Sequence, residues 1–186
     1  MRHRFGILLC WLALLAGCAT QPDWIKPDDH QVSLVFGYFD LHDAPTKLDD
    51  VSLKKYDGSP LYFDCGVKDG LFWHIGLPLG SYQVETFSGS GGLFTNPHRY
   101  DYGTRGRNET AVRIRTPDIY FLGAYRFVPV KHGMFEQDEF QMQSIDTPSE
   151  KELLQRLIAL LSSDPHFQVY QWQIDLARRR LKELSR

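Results

Sequence analysis

The sequence predicts a mainly β fold: an antiparallel β-sandwich of about seven to eight strands with a C-terminal helical hairpin. Three observations carry this. From residue 31 to 145 the apolar residues recur with period two, in short runs. The runs are parted by Gly, Pro, Asn and Asp, with no helical spacing between them, which argues against a parallel α/β sheet. After Ile145 the apolar spacing changes to three and four, the spacing of one helix face.

Taken in order, Val32, Leu34, Phe36 and Tyr38 form one strongly apolar face of a first strand. Residues 51–56 (VSLKKY) alternate again and end at Asp57-Gly58-Ser59-Pro60, a turn signal. Residues 61–65, 71–75 and 82–87 are three further runs, and 110–115, 119–130 and 134–145 complete the set. Residues 69–84 (DGLFWHIGLPLGSYQV) are more specific. Pro78 presets φ for a turn and Gly80 tolerates positive φ. Leu77 is placed to plug the end of a core. Tyr82 is placed to bury its ring and bond its hydroxyl to nearby backbone.

Those residues resemble the central hairpin of transthyretin-like (prealbumin-like) and carboxypeptidase-regulatory-like sandwiches, with a DG-x-F strand, a G-L-P-x-G turn and a Y-x-V strand. The resemblance covers about twenty residues and implies a fold, not an activity. Residues 116–123 (TPDIYFLG) also resemble a strand of bacterial lipoproteins of this general shape.

Thr147-Pro148-Ser149-Glu150 reads as a T-x-x-E capping box with Pro at the first helical position. Leu153, Leu154, Leu157, Ile158 and Leu161 follow on one face, and Asp164-Pro165 stops that helix and is placed to cap the next. Ile174, Ala177, Leu181 and Leu184 recur at helical spacing on the second helix. Such stripes pack on each other or on the sandwich, with Trp172, Leu157 and Leu181 as anchors, or form a docking face for a partner helix.

The N-terminus carries an address. A basic start, Met1-Arg2-His3-Arg4, precedes the apolar run 5–16 (FGILLCWLALLA). As a helix that run reaches about 18 Å, short of a bilayer core of roughly 30 Å. This is the pattern of a secretory signal peptide. Leu15-Ala16-Gly17-Cys18 resembles the lipobox of bacterial lipoproteins. The resemblance implies cleavage before Cys18, a diacylglycerol on its thiol, acylation of the new amine, and stable membrane anchoring by several chains. Ala19, where an aspartate would favour inner-membrane retention, implies a periplasm-facing place on the outer membrane of a Gram-negative cell. The organisation is therefore 1–17 signal peptide, 18–30 lipidated N-terminus and tether, 31–146 sandwich, and 147–186 helical segment. Trp24-Ile25 in the tether rests on the membrane interface or on the domain.

Composition narrows the function. The chain is 42% apolar, 24% charged and 13% aromatic with net charge −2, which excludes a wholly disordered chain, a collagen-like repeat and a polytopic membrane protein. It lacks the basic excess of a nucleic-acid binder. Of three cysteines, Cys10 leaves with the leader and Cys18 is lipidated, so Cys65 has no partner within the chain and reads as a buried small side chain. There is no HExxH, HxH or paired Cys motif, so neither a metal nor a cofactor is expected. Asp40-Leu41-His42-Asp43 reads as a solvated loop, His74 as a structural strand residue, and residues 88–92 (SGSGG) as a flexible loop. That loop opens a long connection to Asn108. Its Phe94, His98, Arg99, Tyr100, Tyr102, Arg105 and Arg107 are residue types favoured at binding hot spots, and they form the candidate partner-binding loop. Arg178-Arg179-Arg180, Lys182 and Arg186 suit a helix C-terminus, or contact with phospholipid head groups.

Two function classes follow. One is a membrane-anchored envelope lipoprotein acting as a non-catalytic binding or structural module with an envelope protein partner. The other is an envelope hydrolase or small-ligand-binding lipoprotein with a site assembled from dispersed His and Asp residues.

Overall fold

The computed structural model describes residues 29–90, 98–102, 108–130 and 139–186. The leader, Cys18, most of the tether and residues 134–138 of the last expected strand lie outside them. Among the described residues the chain runs β1 (Ser33–Asp40), β2 (Lys47–Lys55), β3 (Leu61–Asp64), β4 (Gly66–Lys68), β5 (Leu71–Leu77), β6 (Gly80–Ser90), β7 (His98–Asp101), β8 (Val112–Ile114), β9 (Ile119–Val130) and β10 (Glu139–Ser144). Helix α1 (Glu150–Ser163), a 3₁₀ segment (Pro165–Tyr170) and helix α2 (Gln171–Glu183) follow. No helix among them is long and apolar enough to cross a membrane.

The strands form two five-stranded sheets. The first has the order β10-β9-β1-β5-β4, the second β3-β2-β6, with β7 and β8 on the side of β6 away from β2. All pairs are antiparallel except β1 with β9, which is parallel. That pair departs from the all-antiparallel expectation. It sits in the middle of a sheet buried on both faces, the usual setting for parallel pairing. The mainly β, sandwich-like body and the C-terminal helical hairpin are as expected; the described residues hold ten strands where about seven to eight were expected.

The two additional strands have physical causes. β4 is only three residues long, too short to show a period, and a two-residue Asp69-Gly70 turn joins it to β5. β7, with the last three residues of β6, lies where a long loop was expected. Gly89 belongs to β6, not to a flexible linker. A Cβ there would meet the Lys47 carbonyl oxygen at 1.8 Å, so only glycine lets β2 approach so closely.

Between the sheets lies one core cluster, to which Val35, Phe39, Leu53, Phe72, Tyr82 and Phe87 contribute. Phe39 stands near its centre, with ring centroids 4.9 Å from Phe72 and 5.2 Å from Phe87. The 78–80 turn is as expected. Leu77 is fully buried, and the Tyr82 hydroxyl donates to the Pro78 carbonyl at 2.8 Å.

The opposite face of the first sheet is covered by the helices. Leu34 and Phe36 of β1, with Leu71, Trp73 and Ile75 of β5, pack against Leu153, Leu154, Leu157, Leu161, Ile174 and Ala177. The apolar face read from β1 therefore turns to the helices, while Val35 and Phe39 on its other face fill the inter-sheet core. The molecule has three layers. β9 serves both because it bulges at Gly123, where φ is +102°. The extra residue lets Leu122 and Tyr125 both enter the inter-sheet core while Ala124 meets the helices.

Helix α1 begins two residues later than the T-x-x-E reading places it. Ser149, not Thr147, is the N-cap; its backbone N–H donates to Glu152 Oε2 at 2.8 Å, and Glu152 N–H donates back to the Ser149 hydroxyl at 3.3 Å. Ser149-Glu150-Lys151-Glu152 is an overlapping S-x-x-E box, and both of its reciprocal bonds are formed. Asp164 ends α1 and caps the 3₁₀ segment by accepting from His166 N–H at 2.9 Å. Trp172 is not a core anchor. It is half-buried, with the His30 ring centred 4.3 Å away and the Arg179 guanidinium 5.0 Å over its ring. Leu157 is fully buried and Leu181 partly so.

Candidate functional site

The candidate partner-binding residues fall at one end of the second sheet. β7 brings His98 opposite Gly89 and Arg99 opposite Ser88, and both side chains are exposed. Among the described residues Arg99 has a carboxylate within 4 Å only in Asp101, at 3.9 Å between two exposed groups, a pairing worth little in water. The tyrosines are used differently. Tyr100 stacks on Phe87 at 4.9 Å and packs edge-on to Phe127 and Phe140, each at 5.3 Å. The Tyr102 hydroxyl donates to Glu109 Oε2 at 2.7 Å, and burial together with Glu109 pushes its ionisation well up. Both rings thus join the inter-sheet core, and His98 and Arg99 remain for the surface. Phe94, Arg105 and Arg107 lie outside the described residues.

Beside this region a groove of about 390 Å³ opens between the β1–β2 connection and the Asp69-Gly70 turn. The carboxylates of Asp40 and Asp49 are engaged in holding the fold, and Asp69 contributes its backbone carbonyl. Asp40 accepts from His42 N–H at 3.0 Å and pairs with Arg126 Nε at 2.9 Å. Asp49 receives the N–H and hydroxyl of Ser90, and the Asp69 carbonyl takes Arg156 Nη2 at 2.9 Å. The buried Thr46 hydroxyl, which lines the groove, has no partner among the described residues. Such a groove suits a small polar group or a peptide side chain. Among the described residues no three His, Cys, Asp or Glu side chains are arranged to hold a metal ion.

Cys65 and His74 lie where the chain passes from β3 to β4. Burial, with Asp50 and Asp64 nearby, pushes the Cys65 thiol well above its ordinary range, so it stays protonated and poorly nucleophilic. His74 Nδ1–H donates to the Asp64 carbonyl at 2.9 Å, while Nε2 is buried without a partner among the described residues. A nucleophile and base need the opposite arrangement: a depressed thiol pKa and a free imidazole nitrogen facing the sulfur.

Burial holds the His74 pKa below its ordinary value near 6.5, against the opposing pull of the Asp64 carbonyl and carboxylate. Below about pH 6.5 the unfolded chain therefore binds a proton that the folded chain still refuses. This contribution to stability is full above that range and falls as pH drops through it. His74→Gln is expected to flatten the fall in melting temperature between about pH 7 and pH 5. An unaltered slope would assign the acid sensitivity to another group.

One surface feature is not legible in the period of the sequence. Tyr56, Leu61, Tyr62 and Leu79 are 44–59% exposed, and they gather at the other end of the second sheet. Leu61 pairs with Lys55, Tyr62 with Lys54, and Tyr56 N–H donates to the Ser81 carbonyl at 3.0 Å, next to the turn that carries Leu79. Alternation places Leu61 on the same side as the buried Phe63, but it lies beyond the end of the core. The only local signal was the leucine at position 79 of a tight turn.

Compared with known protein families, curated proteins and solved structures, the chain has no match in any of the three.

Proposed function

We propose that this chain is a lipid-anchored lipoprotein of the cell envelope, held on the outer membrane through Cys18, whose body is a non-catalytic binding or structural module facing the periplasm. The observation that carries this reading is Leu15-Ala16-Gly17-Cys18 after a short apolar run, its cysteine eleven residues before Asp29. An anchor followed by a short tether suits a domain that works at the membrane. The body is proposed to be transthyretin-like. The tight turn at Pro78, the buried Leu77 and the hydroxyl bond of Tyr82 support that finer assignment. An envelope protein is the proposed partner. It meets the loop end of the second sheet at His98 and Arg99, with Phe94, Arg105 and Arg107 in the flanking connections.

Cys18→Ala tests the anchor. The variant is expected to lose all incorporation of labelled palmitate in cells, and to keep its leader uncleaved. Palmitate uptake equal to that of the unaltered chain would refute lipidation at Cys18.

A further inference from the structure

The described chain enters beside the exposed apolar cluster. The Asp29 carbonyl accepts from Gln173 Nε2 of α2 at 3.1 Å, and His30 packs on Trp172. Ser33, three residues on, pairs with Leu77 at the start of the turn that carries Leu79. Leu34 pairs with Ile119, so β9 also starts at this end. Trp172 and Arg179 line a groove with Pro117 to Ile119, which brings α2 to the same end. β8 completes it: Gly80 pairs with Ile114, and Arg113 and Arg115 are exposed on either side.

One end of the molecule thus combines the entry of the chain, four exposed large apolar or aromatic side chains, and exposed arginines. The acids at this end are largely engaged: Asp57 with the Ser81 backbone, Asp118 with the N–H of Ile119, Asp29 with the N–H of Gln31, and Glu183, which lines the groove, with Arg180 at 3.6 Å. Exposed tyrosine settles at the headgroup level of a bilayer, exposed leucine at its boundary with the acyl chains, and arginines around them favour anionic lipid. From Cys18 to Asp29 the chain spans eleven residues, at most about 40 Å when fully extended, and acyl chains at Cys18 keep this end within that distance of the lipid.

We infer that this end is a membrane-contacting face, with Tyr56 at the headgroup level of an anionic phospholipid surface, Leu61 and Leu79 at the boundary with its acyl chains, and Arg113, Arg115 and Arg179 set over its phosphates. The inference rests on the anchored reading and adds an orientation to it: the groove and His98 then point away from the membrane. The loop end is free to meet a partner while the opposite end is docked.

The test uses the full protein extracted from membranes and reconstituted in vesicles of phosphatidylethanolamine and phosphatidylglycerol. Nitroxide probes are placed by Leu79→Cys and, separately, Leu61→Cys, with Asp69→Cys at the far end as control, all on a Cys65→Ala background. The probes at 61 and 79 are expected to be several-fold less accessible to a soluble nickel chelate than the probe at 69. Arg113→Glu with Arg115→Glu is expected to remove most of that protection. Equal accessibility at both ends overturns the inference. So does protection that occurs in native envelopes but not in these vesicles, since a protein would then cover the face. Palmitate labelling of the same preparation reads the anchor separately. An unlabelled chain refutes the anchor, whereas a labelled chain with equally accessible probes refutes the contact alone.

Discussion

Truncation after Ser144 is expected to abolish the soluble folded monomer. The helices cover Leu34, Phe36, Leu71, Trp73 and Ile75, all nearly or fully buried. At about 1.5–3 kcal/mol for each large side chain, their exposure costs on the order of 10 kcal/mol. That is comparable with the whole stability of a typical domain, about 5–15 kcal/mol. The truncated chain should bind a hydrophobic dye at room temperature and show no cooperative melt. A truncated protein that melts within a few degrees of the intact one would mean that the helices are an appendage and the sandwich stands without them.

Gly123→Val is expected to cause a large loss for a single substitution outside the core. At φ +102° a β-branched residue is strained by about 1–3 kcal/mol. Its Cβ would also meet the Tyr125 ring at 2.6 Å. That ring is held by its hydroxyl, which donates to the Glu109 carbonyl at 3.0 Å, and by packing against Phe39. Together these effects should cost roughly 3 kcal/mol or more, a fall of roughly 6–12 °C in melting temperature for a chain of this size. Gly58→Val is the matched control. Its φ is +84°, but nothing lies within 4 Å of the added carbon, so it carries strain alone. Equal falls at the two positions would show that the bulge has room for a side chain.

The contrast between these two glycines shows what local reading reaches. Gly58 sits in Asp57-Gly58-Ser59-Pro60, a turn legible from four adjacent residues. Gly123 is a lone glycine inside an apolar run, which signals a bulge or a close backbone approach without saying which. Its role comes from β1, some eighty positions away in sequence, and from the need to serve two cores at once. Tyr100 and Tyr102 teach the same lesson. In sequence they sit among glycines and arginines and look like exposed binding residues. In the fold β7 pairs with β6, and this places their rings against Phe87 and Phe140.

By itself the sequence determined what depends on neighbours a few positions apart. The turn of Pro78 and Gly80 with the Tyr82 hydroxyl bond, the stop at Asp164-Pro165, the two helical stripes and the mainly β body all follow from short-range steric and hydrogen-bonding preferences. Only the tertiary structure decided which layer each apolar face meets. Period two shows that Leu34 and Phe36 share a face, but it is silent on whether a second sheet or a helix covers that face. A central strand apolar on both sides serves either arrangement. The parallel pairing of β1 with β9 and the gathering of Tyr56, Leu61 and Leu79 beside the chain entry were settled in the same way. Each depends on contacts between segments far apart in sequence, whose free energy comes from burial and is written in no single stretch of the chain.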